Sequence, residues 1–207
     1  METKNRIIQQ ARDLFLRLGI RSVSMDDIAG QMGMSKKTLY QHFADKDELV
    51  DMVVDFETTR MQGDCMECST TAENAVEEIF KTMEMVMQHF RDMNPMVLFD
   101  LHKFHIHAFG KFMEHKNTFL LKIISNNLQR GIQEGFFRQD IKIDILAKFR
   151  LESMMLAFNM DAFPPAKYNA AEVTVTMIEN FLYGLATEAG FKRIEQYKSK
   201  KNNLHAQ

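Results

Sequence analysis

A run of side chains between residues 35 and 46 is suited to meeting a nucleic acid. Lys36, Lys37 and Gln41 can hydrogen-bond the edges of bases, and the Thr38 methyl can pack on a thymine. Tyr40, His42, Lys46 and the Ser24 hydroxyl can reach phosphate oxygens, and Ser35 stands at the head of the run. A second cluster offers different chemistry. His102, His105 and His107, with His89 and His115 nearby, could ligate a metal and build a metal-dependent enzyme. Zinc would need two or three of them converging at about 2.0–2.1 Å, with Asp100 or Glu114 as the local carboxylate. There is no HExxH pattern, and a helix boundary is expected inside this stretch, so separate, partly exposed histidines are the preferred reading. Cys65 and Cys68 are three apart, which suits a redox pair or half a zinc site. No second cysteine pair exists to complete four thiolates, so two free thiols are expected.

The elements that must position these side chains are nearly all helices. The chain has only three prolines, Pro95, Pro164 and Pro165, and no segment alternates cleanly enough for a half-buried strand. Ile7, Ile8, Ala11, Leu14, Phe15 and Leu18 share one helix face, and Gly19 ends that helix. Ser24 followed by Asp27 predicts a capping box, opening a short helix over about 25–32. Gly33-Met34 then make a turn. Ser35 caps a second short helix through Phe43, with Leu39 and Phe43 facing inward. Asp45 with Glu48 starts a fourth helix toward Arg60. Two short helices joined by a glycine turn, the second carrying adjacent lysines, form a helix-turn-helix.

Downstream, residues 62–71 with Gly63 read as a linker. Helices are predicted over about 72–92, from Pro95, over 107–134 up to Gly135, and finally over 143–161 and 170–188. The last two carry apolar residues on more than one face, Phe149 and Met154 on the first, Phe181, Gly184 and Leu185 on the second. A terminal helix inside a monomer needs one stripe, so a four-helix dimer interface is expected. Seventeen methionines and seventeen phenylalanines are the other notable feature. Met83, Met87, Phe90, Met96, Phe99, Phe112, Met113 and Phe119 fall on the central helices. They fill a core or line a pliable apolar pocket.

Taken together, Ile28-Ala29, Gly33-Met34-Ser35, Thr38-Leu39-Tyr40, His42-Phe43 and Lys46-Asp47-Glu48-Leu49 resemble the N-terminal domain of the TetR family of bacterial regulators over residues 7–50. Met34 stands where a valine is commoner. Gly131-Ile132-Gln133-Glu134-Gly135-Phe136-Phe137-Arg138 looks like the segment before that family's penultimate helix, and Phe181-Leu182-Tyr183-Gly184-Leu185-Ala186 like its final dimerisation helix. The resemblance implies a homodimer on double-stranded operator DNA, repression released by a small-molecule effector, and a sensor region whose ligand the family does not fix.

Charge and composition agree with this. The net charge is -2, yet residues 1–44 hold seven basic residues against four acids, so positive charge is concentrated at one end. No apolar run is long enough to span a bilayer, and the N-terminus lacks the apolar core of a signal peptide, so a cytoplasmic protein without membrane contact is expected. No catalytic triad, phosphate-binding glycine loop or paired-carboxylate signature appears, and no cofactor is expected. The sequence therefore predicts an all-α protein, with a helix-turn-helix domain at 1–50 and a ligand-sensing and dimerisation domain at 51–207.

Overall fold

The computed structural model describes residues 3–89 and 93–205. Among them the chain is all-α, with no strand and a single antiparallel bridge between Phe137 and Ala186. The order is α1 (Thr3–Leu18), α2 (Met25–Gln31), α3 (Lys36–Tyr40), α4 (Lys46–Thr71), α5 (Ala75–His89), α6 (Met96–Phe104), α7 (Ile106–His115), a π-helical turn (Lys116–Leu120), α8 (Leu121–Gln133), α9 (Ile143–Leu156), α10 (Ala170–Leu185) and α11 (Glu188–His205). The chain forms two compact units, Met1–Gln62 with Asp92–His115, and Gly63–Arg91 with Lys116–Gln207.

The first unit is built around the apolar face of α1. Ile7, Ala11, Leu14 and Phe15 bury against Ile28 of α2, Leu39 of α3, Phe43, and Leu49 and Val50 of α4. Val97, Leu101 and Ala108 of α6 and α7 complete the same cluster. Polar ties fix the registers. Arg12 pairs with Glu57 at 2.8 Å, joining α1 to α4. The buried Asp100 accepts from the Arg21 backbone N–H at 2.9 Å, holding the loop after α1, where Gly19 takes φ +88°.

The second unit packs α5 and α10 together, with α8, α9 and α11 around them. Its core is Ala75, Val76, Phe80 and Met83 of α5, Leu128 of α8, Phe137, Ala147 of α9, Ile178, Phe181, Leu182 and Leu185 of α10, and Ile194 of α11. Arg130 is a hub, bonded to Glu134 at 2.7 Å, Glu78 at 3.1 Å and the Ala72 carbonyl at 2.9 Å. Gly131 and Gly190 allow close approaches. A Cβ on Gly131 would lie 2.0 Å from the Phe137 ring, and one on Gly190 would lie 2.0 Å from the Phe136 carbonyl oxygen.

Five expectations are corrected. The proposed linker at 62–71 is helical, because α4 runs on to Thr71. One glycine costs a helix only about 1 kcal/mol. The buried Cys65 anchors this stretch, and the Lys81 ammonium caps the Thr71 carbonyl at 2.8 Å. The long helix over 107–134 is interrupted by the π turn at Lys116–Leu120. The helix after the glycine turn ends at Tyr40 rather than Phe43, and that over 143–161 ends at Leu156. Finally, 170–188 is not the last helix. Thr187 accepts from the Gly190 N–H at 3.1 Å at the head of α11, whose only fully buried apolar side chain among the described residues is Ile194, too sparse a stripe to declare itself in sequence.

Candidate nucleic-acid interface

The helix-turn-helix is held by its own caps. Ser24 accepts from the Asp27 N–H at 3.1 Å while the Asp27 carboxylate accepts from the Ser24 N–H at 2.8 Å, a complete capping box. That hydrogen bonding from Ser24 holds the Asp27 carboxyl below the usual carboxylate range. Gly33 takes φ +62° in the turn, a conformation that favours glycine. The Ser35 hydroxyl then accepts from the Thr38 N–H at 3.1 Å, opening α3. At the head of α4 the Asp45 carboxylate accepts from the Glu48 N–H at 2.8 Å, and the Glu48 carboxylate accepts from the Ala44 N–H at 2.7 Å.

These caps orient α3 so that Leu39 is fully buried while Lys36, Lys37, Tyr40 and Gln41 are exposed. Thr38 and His42 are half-buried beside them. The cations are not equivalent. Lys36 is paired with Asp26 of α2 at 2.9 Å, and that hydrogen bond raises its pKa. Among the described residues Lys37 has no ion-pair partner. Lys46 points the other way. Its ammonium donates to the Ile20 carbonyl at 2.6 Å over the Phe15 ring, and burial lowers its pKa. The sequence missed this inward turn, because Ile20 lies 26 residues away.

The histidines do not converge. His102 lies against the Phe109 ring at 4.6 Å, His105 bonds Asp47 at 2.6 Å, and His107 bonds Asp51. With Asp45, Glu48 and Ile106, these last two pairs line an open groove in the first unit. Among the described residues no group of three histidines, cysteines or carboxylates is placed to hold a metal ion. This arrangement gives no support to the metal-dependent enzyme expected as the alternative. Cys65 and Cys68 are free thiols, and burial pushes the Cys65 thiol up to about 12.

The apolar candidates are divided between the units. Met96, Phe99, Phe112 and Met113 lie in the first, with Met96 and Phe99 exposed. Met83, Met87 and Phe119 lie in the second, Met83 buried in its core and Met87 packed against it. Phe90 lies outside the described residues. Of the expected dimer residues, Phe149 is 59% exposed on α9 beside exposed Ile145, and Gly184 faces open space. Met154 is half-buried, and Phe181 and Leu185 are buried in the second unit's own core. The two downstream segments singled out in the sequence meet. The Arg138 N–H donates to the Leu185 carbonyl at 2.9 Å, and the Arg138 guanidinium to the Gly184 carbonyl at 2.8 Å.

Residues 7–53 match the family model described as bacterial regulatory proteins, tetR family. The Bacillus subtilis (strain 168) protein YvaF, an uncharacterized HTH-type transcriptional regulator, is 30% identical over 190 residues, covering 88% of this chain and 95% of that protein. The HTH-type transcriptional repressor KstR2 of Mycobacterium tuberculosis (strain ATCC 25618 / H37Rv) is 23% identical over 150 residues, 70% of this chain and 74% of the repressor. The crystal structure of a putative transcriptional regulator from Saccharomonospora viridis in complex with choline superposes with a TM-score of 0.75 at 17% identity, covering 89% of this chain and 98% of that one.

Proposed function

The chain belongs to the tetR family of bacterial regulatory proteins and is a DNA-binding transcription regulator, and on that premise we propose that it is a homodimeric repressor released from its operator by a small apolar effector. Residues 1–50 would hold the DNA, and residues 51–207 would sense and dimerise. The observation that carries the first half is α3: a capped, five-residue helix that buries Leu39 and exposes Lys37, Tyr40 and Gln41. A helix of that width fits the major groove of B-DNA. Lys37 and Gln41 reach base edges or phosphates, and Ser24, Ser35, Lys36, Thr38, Tyr40 and His42 flank them. Lys46 contributes by buttressing the Ile20 loop from inside.

Dimerisation sets the spacing of two such helices. The exposed Ile145, Phe149 and Leu156 on α9, with the open Gly184 on α10, supply an apolar face in the second unit for a second copy. Two half-sites one helical turn apart then demand a separation of about 34 Å between recognition helices. An effector that binds better when that spacing is wrong draws the population off DNA. The apolar interior of the second unit, with Phe80, Met83, Phe137 and Phe181 in its core and Met87 packed against it, supports an apolar effector. The regulator works in the cytoplasm, and no described helix is long and apolar enough to cross a membrane.

The test is selection of duplexes from a random pool by the full-length protein. A near-palindromic sequence should be enriched, and it should be bound by two copies. Gly184→Phe should reduce the dimer fraction in sedimentation and weaken binding to that sequence. Failure to enrich any sequence, or a wild-type monomer at micromolar concentration, contradicts the reading.

A further inference from the structure

The second unit treats its arginines unequally. Arg130 has two carboxylates and a carbonyl within 3.1 Å. Arg138 has Asp140 at 3.5 Å and the Gly184 carbonyl at 2.8 Å. Arg150, on α9, has neither, and nor does Arg193 on α11, whose Cζ lies 5.5 Å from the centroid of the Phe136 ring. Among the described residues no carboxylate or carbonyl accepts from the Arg150 guanidinium, which lies over the Phe181 ring, 6.0 Å from Cζ to the centroid. Phe181 is itself buried and in ring contact with Phe149 at 6.2 Å.

Two acids of α9 and α10 pair with lysines. Glu152 accepts from Lys116 at 2.7 Å and pairs with Lys148 at 3.1 Å. Glu179 pairs with Lys198 at 2.9 Å. The positions three and four residues from Arg150 along α9 are Leu146, Ala147, Ser153 and Met154, none of them acidic. Burial lowers the Arg150 pKa to about 10, the response of a cation that has lost water and gained no anion. A guanidinium is rarely left so, because its fork of donors goes unused.

A second feature lies beside it. The π turn is tied to α9 on both sides of Arg150: Lys116 reaches Glu152, and the Asn117 side-chain oxygen accepts from Lys148 at 3.1 Å. Helical turns of this kind sacrifice regular hydrogen bonding and recur at functional sites. Here the two ties fall on Lys148 and Glu152, the residues two before and two after Arg150 on α9.

We infer that Arg150 is an anion-recognising residue of the effector site, and that the effector joins an apolar body to one carboxylate or comparable oxyanion. Two oxygens of that group take the parallel N–H donors of the guanidinium, with the Phe181 face supporting the cation from below. The apolar body lies among the methionines and aliphatic residues of the same unit. This rests on the reading of the second unit as an effector sensor.

The full-length protein is titrated with matched pairs, each an aliphatic or aromatic carboxylate and its neutral amide: decanoate with decanamide, 4-phenylbutyrate with its amide, and 2-naphthoate with its amide. Thermal melting and calorimetric titration read the binding, and sedimentation reads the dimer. In the wild type at least one carboxylate should bind more tightly than its amide. Arg150→Met should remove that preference, weakening the acid by roughly 10- to 100-fold and leaving the amide unchanged. Arg150→Lys, which keeps charge without the fork, should fall between, and it serves if the methionine variant fails to fold. An acid preference that survives both substitutions overturns the proposal. So does a dimer that dissociates on Arg150→Met, since the missing anion would then be a carboxylate of the second copy. Amides that bind as well as the acids leave the apolar sensor standing and remove Arg150 from it. If no member of any pair binds, the sensor reading falls, and this inference with it.

Discussion

The helix-turn-helix and the second unit satisfy their polar groups over different distances. In the first the helix caps are local: Ser24 bonds Asp27, Ser35 bonds Thr38 and Asp45 bonds Glu48, each three residues along the chain, while Lys36 reaches Asp26 across 10 and Lys46 the Ile20 carbonyl across 26. In the second, Arg130 reaches Glu78 across 52 residues, Asn127 reaches the Ala75 carbonyl across 52, and Lys116 reaches Glu152 across 36. Local satisfaction gives a preformed surface whose side chains face outward for a partner. Long-range satisfaction gives a unit whose geometry depends on several helices at once, and in which a half-buried cation such as Arg150 can be left without an anion. The contrast matches the division of labour proposed above. A head that reads DNA gains from rigidity, whereas a sensor must be able to change its packing.

The comparison is broken most severely by removing what anchors α3. Leu39 is fully buried, so Leu39→Ala should destabilise the first unit by about 2–5 kcal/mol and abolish DNA binding. Urea unfolding measures the first effect and fluorescence anisotropy the second. A loss well under 1 kcal/mol would mean that the caps alone hold the helix. In the second unit the equivalent lesion is Gly131→Ala. The added Cβ must displace the Phe137 ring and the Arg138–Leu185 tie beyond it, costing about 1–3 kcal/mol. Gly184→Ala, with nothing within 4 Å to meet, is the control and should leave the protomer's fold unchanged.

Smaller effects sharpen the same contrast. Ser24→Ala removes one half of a capping box and should cost about 1 kcal/mol, confined to α2 and the turn it leads into. Hydrogen exchange should show faster amides there and no change in α8–α10. The smallest effect is on pH dependence. His115 is buried, with Nδ1 facing the Gln62 amide at 3.2 Å, and burial holds its pKa below the ordinary 6.5. The unfolded chain therefore binds the proton more readily than the folded one. The stability linked to His115 is full above about pH 6.5 and declines as the pH falls through the window below it. His115→Gln should flatten that part of the stability profile. An unchanged profile would mean that the imidazole titrates as it does in water.

What could be read from the chain follows the same line. The caps at Ser24, Ser35 and Asp45, the glycine turn and the buried Leu39 are all visible in sequence, because each is decided within four residues. The linker expected at 62–71 failed because its helix is stabilised from elsewhere, by burial of Cys65 and by Lys81 on the Thr71 carbonyl. Helix α11 escaped notice because one buried isoleucine makes no periodic stripe. The histidines, close in sequence, were separated by the break between α6 and α7. Arg150 carried no local signal, since what marks it is its place over the Phe181 ring of another helix, 31 residues along the chain.

The central claim is that α3 reads DNA, and the salt dependence of binding tests it most directly. Affinity for the selected duplex is measured from about 50 to 200 mM salt, for the wild type and for Lys37→Ala. If Lys37 meets a phosphate, the variant should bind more weakly and lose roughly one unit from the slope of log affinity against log salt. If it meets a base instead, the slope should hold and discrimination at one position of the half-site should relax. An affinity, slope and sequence preference all equal to those of the wild type would contradict the account.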